Sequence, residues 1–149
     1  MSYSDLSSYA TTRTNPLSSK YRNFDIYANH PPGGGVMLLE MLNVLENFNL
    51  RDMTHNSSEY IRIVSETMKK ATLDKEMFVG DPLFIDVPLE KLLSKEYASE
   101  VSNKIKKNER TFINRVTQIE PKNTTHVSVI DQEGNCVTMT HSLGMPSGV

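Results

Sequence analysis

The chain has 149 residues, of which 38% are hydrophobic, and a formal net charge of −2 at pH 7. This length is sufficient for one buried core, and the near-neutral charge gives no basis for nucleic acid or an acidic membrane surface as a partner. A single cysteine, Cys136, excludes an internal disulfide, and its place in a predicted strand indicates a packing residue. No charged-then-apolar leader and no apolar run of membrane-spanning length is found, and the compartment stays open.

The first part of the chain alternates between polar loops and short predicted elements. Residues before about Pro16 are rich in Ser and Thr and predict a loop with one turn of helix. Residues 21–27 predict a short strand. Two prolines and three glycines at 31–35 predict a tight loop in which the backbone can approach another group closely. Residues 36–45 are apolar almost all round, which is typical of a helix buried in a large protein.

Two amphipathic helices are predicted next. Asn56 with Glu59 three residues later predicts the N-cap of a helix, and apolar residues then recur at three- and four-residue spacing. A second helix is predicted to begin near Pro88, because proline is favoured in a first turn. Its apolar residues repeat every four positions up to Ile105. Residues 106–123 are polar and basic without a clear period, and they predict an exposed linker.

The last part of the chain predicts a β-hairpin. A threonine pair, Thr124-Thr125, opens a stretch of alternating polar and apolar residues that ends at Asp131. A turn containing Gly134-Asn135 follows, and residues 136–142 predict the second strand. In this arrangement we expect His126 and His141 to face each other across the hairpin.

Threonine is a weak nucleophile until a nearby base takes its proton. The free α-amine of an N-terminal threonine can be that base. An amine with a pKa near 8 is largely available at neutral pH, and it is held covalently beside the hydroxyl. Thr124 would have to be liberated by cleavage of the bond that joins it to Asn123. A threonine pair also begins many ordinary strands, because β-branched residues favour strands.

The Thr124-Thr125-His126 pattern resembles the start of the small subunit of the γ-glutamyltranspeptidases, which are self-cleaving N-terminal-nucleophile hydrolases. The resemblance extends over nearly the whole chain, in several segments in the order expected for that family. These segments are Leu6-Ser7-Ser8-Tyr9, Asn15-Pro16-Leu17, Tyr21-Arg22-Asn23-Phe24, Pro31-Pro32-Gly33-Gly34-Gly35, Leu42-Asn43-Val44-Leu45-Glu46-Asn47-Phe48 and Gly80-Asp81-Pro82-Leu83-Phe84-Ile85-Asp86-Val87-Pro88-Leu89. Several motifs in register favour the catalytic interpretation of the threonine pair.

The resemblance implies an α+β fold that forms part of a four-layered αββα sandwich, incomplete in this chain. Residues 1–123 would be the C-terminal part of the large-subunit region, mostly helical and ending in the polar linker. Residues 124–149 would be the first hairpin of the small-subunit region. The expected partners are the remainder of the large and small subunits. A chain of this extent would be an internal portion of a longer precursor, inactive by itself.

The site residues follow from the same resemblance. Thr124 would attack the carbonyl of Asn123, and water would resolve the resulting ester. Ser142 would support the nucleophile, because serine keeps the hydrogen-bonding capacity of the threonine usual at that position. Gly144 stands where the family places an asparagine that holds the substrate's α-amino group. The expected substrate is a γ-glutamyl amide such as glutathione, with no metal and no organic cofactor.

Other kinds of site are weakly supported by the residues. The four histidines lack neighbouring cysteines or carboxylates at metal-ligand spacing, and no lysine follows the glycine run as it does in a P-loop. Asp81 is expected to fix a turn. Two rival functions remain open. One is an acylase or amidohydrolase of the same family with another substrate, which Gly144 favours. The other is a truncated, non-catalytic relative.

Overall fold

Helices and antiparallel hairpins both occur in the computed structural model, which describes residues 2–11, 13–113 and 124–142. The mixed helix-and-strand class expected from the sequence is confirmed. The chain divides into two units, Met1–Ile113 and Asn114–Val149. In the described ranges, no helix combines the length and the apolar character needed to cross a membrane.

The first unit contains five α-helices and one hairpin within its described residues. In chain order the elements are α1 Tyr3–Ser8, β1 Leu17–Tyr21, β2 Phe24–Ala28, α2 Gly35–Leu45, a 3₁₀ turn Leu50–Asp52, α3 Ser58–Phe78, α4 Leu89–Leu92 and α5 Lys95–Lys106. The second unit contributes β3 Thr124–Ile130 and β4 Cys136–Ser142.

Helix α2 lies at the centre of the first unit and contributes to two apolar clusters. The cluster shared by α2, α3 and α5 consists of Val44, Phe48, Ile63, Ala98, Val101 and Ile105. The cluster shared by β1, α2 and α4 consists of Leu17, Val36, Leu39 and Leu92. The buried helix predicted at 36–45 is therefore confirmed. It is not buried on every side, because Leu38 remains 45% exposed.

Where one short strand was predicted at residues 21–27, the structure has two strands that form a hairpin. Tyr21 pairs with Phe24, and the turn between them places Arg22 at φ 54°, in the left-handed region. That conformation usually signals glycine or asparagine, and no glycine marks this turn in the sequence. The Arg22 backbone N–H donates to Glu46, which helps to hold this conformation.

The N-cap of α3 is one residue later than the sequence predicted. Ser57 is the cap, and its Oγ accepts a hydrogen bond of 3.3 Å from the Tyr60 N–H. Asn56 cannot take that place because its φ is 59°, whereas an N-cap needs an extended backbone. Glu59 consequently does not close a capping box and instead forms an ion pair with Arg62, with oxygen and nitrogen 2.7 Å apart.

The single helix predicted from Pro88 to Ile105 is divided into α4 and α5. Ser94 interrupts it, because its Oγ accepts from the Tyr97 N–H at 3.1 Å and so begins a new helix. The carbonyl of Leu93 accepts a hydrogen bond of 3.0 Å from Asn43 instead of an intrahelical one. A four-residue repeat does not reveal such a break, since the apolar side chains keep facing the core on both sides of it.

Asn43 connects three elements through a buried amide. Its Oδ1 accepts from Ser19 Oγ of β1 at 2.8 Å and from Lys95 Nζ of α5 at 2.7 Å, while its Nδ2 donates to Leu93 O. Lys95 also donates to Glu46 at 2.6 Å. Because both ends of the buried amide are used, removing it would break all three of these hydrogen bonds at once.

A second buried polar group joins α2 to α3 and α5. Burial of Glu40, together with a hydrogen bond and the charge of Asp74, raises the pKa of Glu40 to about 9. Asp74 accepts a hydrogen bond of 2.7 Å from the Tyr97 hydroxyl and pairs with Lys70. Burial, reinforced by Asp74, raises the pKa of Tyr97. Glu40 is therefore neutral at physiological pH, and its proton allows two carboxyl groups to lie together.

The raised pKa of Glu40 makes stability depend on pH with a definite sign. The stabilising contribution of its neutral form is complete below the ordinary pKa of 4.5 and is lost as the pH rises towards 9. Glu40→Gln, which cannot ionise, should therefore show a smaller loss of unfolding free energy than wild type between about pH 5 and pH 9. Urea unfolding across that range measures this. Parallel curves for the two proteins would contradict it, and Glu59→Gln on the exposed face of α3 is the control.

Loss of the Asn43 amide should be costly. We expect Asn43→Leu to lower the free energy of unfolding by about 2–4 kcal/mol, because Ser19, Leu93 and Lys95 all lose a hydrogen bond to the one buried amide. Asn47→Ala, one turn later and exposed, should change it by less than about 0.5 kcal/mol. Chemical unfolding of both variants gives the comparison. Equal effects would show that the buried amide has no special role.

Candidate active site

The predicted hairpin at the end of the chain is confirmed, with its strands where the sequence placed them. Strands β3 and β4 pair antiparallel over seven residues each, from Thr124 opposite Ser142 to Ile130 opposite Cys136. The pair Thr124–Ser142 therefore forms the open end of the hairpin, away from the turn. The two residues proposed from the sequence as nucleophile and supporting hydroxyl are direct backbone partners.

The closed end is shaped by Asp131. Its Oδ1 accepts from the backbone N–H groups of Glu133 and Asn135, both at 2.9 Å, and its Oδ2 accepts from Asn135 Nδ2 at 2.8 Å. These bonds, with that of the Asn135 side chain the strongest, lower the pKa of Asp131. Gly134 has a φ of 87°, which a side chain would strain. The spacing Asp-x-x-Gly-Asn thus fixes the turn and, through it, the register of both strands.

One face of the hairpin is polar and internally hydrogen-bonded. His126 lies opposite Thr140, and its Nδ1 is 2.8 Å from Thr140 Oγ1. Its Nε2 is 3.0 Å from both Ser128 Oγ and Thr138 Oγ1, which are 3.0 Å from each other. One imidazole therefore contacts three hydroxyl groups on the two strands.

The other face of the hairpin is apolar. It is formed by two cross-strand pairs, Val127 with Met139 and Val129 with Val137. All four side chains are exposed within the described residues, and so is Cys136, for which the sequence predicted a packing role. An isolated two-stranded hairpin is at best marginally stable in water, so this exposed apolar face leaves the hairpin without the packing that would stabilise it.

The sequence prediction that His126 and His141 face each other is wrong by one residue. His141 is the partner of Thr125, and His126 is the partner of Thr140. A shift of one residue in register is enough to separate the two histidines into different cross-strand pairs. Within the described part of the chain, no three His, Cys, Asp or Glu side chains form a group able to hold a metal ion.

Asn123 and Gly144, the other two predicted site residues, lie outside the described residues. The predicted linker towards Asn123 starts at residue 106, and its first residues, up to Ile113, are among those described. Its beginning is held by Glu66 of α3, which accepts from the Thr111 N–H at 2.8 Å and pairs with Lys69 at 2.7 Å. This contact cannot be predicted from the sequence, because a lone glutamate within an amphipathic helix has no distinguishing pattern.

The glycine loop predicted at 31–35 is present, and the group that approaches it is Asn29. A Cβ on Gly35 would lie 2.0 Å from the backbone carbonyl oxygen of Asn29, and one on Gly33 would lie 1.7 Å from its side-chain Nδ2. His30 and Pro31, beside this loop, line a cavity of about 390 Å³ together with side chains from the segment 82–89. Asp81 fixes the turn that begins this segment, as predicted, by accepting from the Leu83 N–H at 2.9 Å.

Comparison with known proteins identifies the relatives of this chain. The family model described as Gamma-glutamyltranspeptidase matches residues 1–149. The glutathione hydrolase proenzyme of Escherichia coli K12 is 33% identical over 150 residues, which cover 97% of this chain and 26% of that protein. The chain therefore spans about a quarter of the length of this curated relative.

Two solved structures are similar in fold as well as in sequence. The γ-glutamyltranspeptidase of Helicobacter pylori superposes with a TM-score of 0.67 at 33% identity, over 79% of this chain and 33% of that chain. The cephalosporin acylase of Bacillus halodurans superposes with a TM-score of 0.71 at 27% identity, over 97% of this chain and 26% of that one.

Proposed function

Because the chain belongs to the γ-glutamyltranspeptidase family, we propose that it is part of a self-cleaving threonine hydrolase and transferase, cut between Asn123 and Thr124. The substrate is glutathione or a related γ-glutamyl amide, whose γ-glutamyl group passes to water or to an acceptor amine. The observation that supports this most is the backbone pairing of Thr124 with Ser142 at the open end of the hairpin. Two of the relatives are named glutathione hydrolase proenzymes, which is consistent with this substrate.

The proposed cleavage uses the hydroxyl of Thr124 itself. Its oxygen attacks the Asn123 carbonyl carbon, the peptide C–N bond breaks, and the nitrogen takes up a proton, which leaves an ester between the two residues. Water hydrolyses that ester. The products are a carboxylate at Asn123 and a free hydroxyl and α-amine at Thr124.

The liberated α-amine is then the base for turnover. It takes the proton of the Thr124 hydroxyl, whose oxygen attacks the γ-amide carbonyl of the substrate and forms a γ-glutamyl ester as the leaving amine departs with a proton. Water or an acceptor amine resolves the ester. Ser142, the backbone partner of Thr124, is proposed to hydrogen-bond the nucleophile. Neither the proposed cleavage nor the proposed turnover uses a metal or an organic cofactor.

The same proposal includes the architecture. The full protein would be an αββα sandwich in which residues 1–123 end the large subunit and residues 124–149 begin the small one. The apolar hairpin face, formed by Val127, Val129, Val137 and Met139, supports this, because it needs a further layer to cover it. The partners of this chain are accordingly the remaining parts of both subunits.

One sequence feature favours a second candidate, an acylase of the same family. Gly144 lacks the side chain with which the family's usual asparagine holds the substrate's α-amino group. A binding site that loses one partner for a buried amine loses about 1–3 kcal/mol of interaction. The similarity to an acylase structure is consistent with such a change. The γ-glutamyl assignment remains the main proposal, since both γ-glutamyl enzymes and glutathione hydrolases are among the relatives.

Substitution of Thr124 in the full-length gene product tests the nucleophile. Thr124→Ala should remain a single chain and lose at least about 10³-fold in turnover, whereas Thr124→Ser should still be cut, more slowly. Thr125→Ala is the matched control and should be cut like wild type. Denaturing gels and turnover of a γ-glutamyl anilide measure both effects. Cleavage of Thr124→Ala would exclude Thr124 as the nucleophile.

Restoring the missing side chain tests substrate choice. Gly144→Asn should raise the ratio of kcat/KM for γ-glutamyl anilide to kcat/KM for a simple acyl anilide by about tenfold, because the α-amino group regains one partner. A wild-type protein that already prefers the simple acyl anilide would favour the acylase. No change of the ratio in Gly144→Asn would remove position 144 from substrate recognition.

A further inference from the structure

His126 contacts three hydroxyl groups of the hairpin, and the proposed reaction does not use it. Its Nδ1 reaches across to Thr140 on β4 at 2.8 Å. Its Nε2 contacts Ser128 on its own strand and Thr138 on the opposite one, both at 3.0 Å. Both ring nitrogens are therefore used, and the contacts join the cross-strand pair His126–Thr140 to the next pair on the same face, Ser128–Thr138.

The hydroxyl groups around His126 can hold its imidazole ring in one orientation. A neutral imidazole has one donor nitrogen and one acceptor nitrogen, and it needs a partner of the right kind for each. A hydroxyl can donate or accept, so Thr140 can satisfy Nδ1 in either tautomer. Ser128 and Thr138 contact each other at 3.0 Å as well as the ring, and together they can satisfy Nε2. The ring is thus held at both edges.

This hydrogen-bonded network is relevant to the proposed reaction because it begins two residues along β3 from Thr124. Along the hairpin, the cross-strand pair His126–Thr140 lies two residues closer to the turn than the pair Thr124–Ser142. Alternate residues of a strand share a face, so fixing one pair constrains its neighbour two residues along. The open end of the hairpin has no turn to close it, and the bond from His126 to Thr140 is the nearest side-chain link between the strands in the described residues.

We propose that His126 is a positioning residue, which fixes Thr140 through Nδ1 and thereby holds Ser142 in register with the nucleophile Thr124. This inference rests on the proposed function. His126 is not assigned as the base, since the α-amine of Thr124 already takes that proton. The contact that matters is the cross-strand one to Thr140, and the contacts of Nε2 have a supporting role.

Substitutions that separate the two ring nitrogens test the proposal in the full-length protein. An asparagine amide occupies the place of Nδ1, and a glutamine amide reaches the place of Nε2. We expect His126→Ala and His126→Gln to lower kcat for a γ-glutamyl anilide about tenfold, with KM within about twofold of wild type. His126→Asn should keep kcat within about threefold, because it preserves the bond to Thr140.

The partner threonines supply matched controls on one strand. Thr140→Val keeps the shape and the strand preference but loses the hydroxyl, and it should reproduce the loss seen in His126→Ala. Thr138→Val, two residues nearer the turn, should leave kcat near wild type, because Ser128 still contacts Nε2. The double variant His126→Ala/Thr140→Val should be no worse than either single variant, since both remove the same bond.

The results separate positioning from stability. A merely structural role would lower the melting temperature or the yield of cut protein while leaving kcat per cut molecule unchanged, and that result would overturn the inference. Equal losses in Thr138→Val and Thr140→Val, or additive losses in the double variant, would overturn it as well. If wild type is cut and active while the His126 variants keep full kcat, only this inference fails. An uncut wild type would overturn the proposed function, and the inference with it.

Discussion

The buried amide of Asn43 is the constraint on which the first unit depends. Helix α2 is close to fully apolar, and apolar packing by itself does not fix how a helix is rotated or how far it slides along its neighbours. The amide of Asn43 fixes both, because its oxygen accepts from β1 and from α5 and its nitrogen donates to the end of α4. The same amide satisfies the Leu93 carbonyl at the break between α4 and α5, where Ser94 caps the new helix. The neutral Glu40 of α2, which lies beside Asp74 of α3, adds a second specific polar contact between these two helices.

The structure of the second unit depends on the register of β3 and β4, that is, on which residues of the two strands are paired. Asp131 and Gly134 fix the turn, the turn fixes which residues of β3 and β4 are opposite, and the period of two then sorts polar and apolar side chains onto separate faces. The result is that a threonine and a serine, eighteen positions apart in the chain, become backbone partners. The proposed chemistry of Thr124 depends on this register, because a slip of one residue would bring a leucine or a histidine opposite it.

The hairpin could be predicted from sequence because its signals are local. Alternating residues, the glycine in its turn and the threonine pair all lie within two dozen positions, and the strands begin and end as expected. The helix at α2 was equally clear from composition. The pairing of histidines was missed because register depends on the turn geometry, and a shift of one residue is invisible in the pattern of the strands.

Tertiary contacts account for the other differences. The cap at Ser57, the turn at Arg22 and the break at Ser94 each depend on a backbone conformation or a distant partner that the local sequence does not reveal. The buried polar groups at Glu40 and Asn43 lie within an apolar run that predicts burial but not their partners on α3, α4 and α5. The roles of Thr124, Ser142, Asn123 and Gly144 came from family resemblance, because residue patterns alone do not distinguish a catalytic threonine from an ordinary one.

The most direct test of the central claim is the N-terminal sequence of the smaller chain obtained when the full-length gene product is purified. The account predicts two chains, with the smaller one beginning Thr-Thr-His at Thr124 and carrying a free α-amine. A single uncut chain, or a cut at any other bond, would deprive Thr124 of the amine that the mechanism requires and would contradict the account.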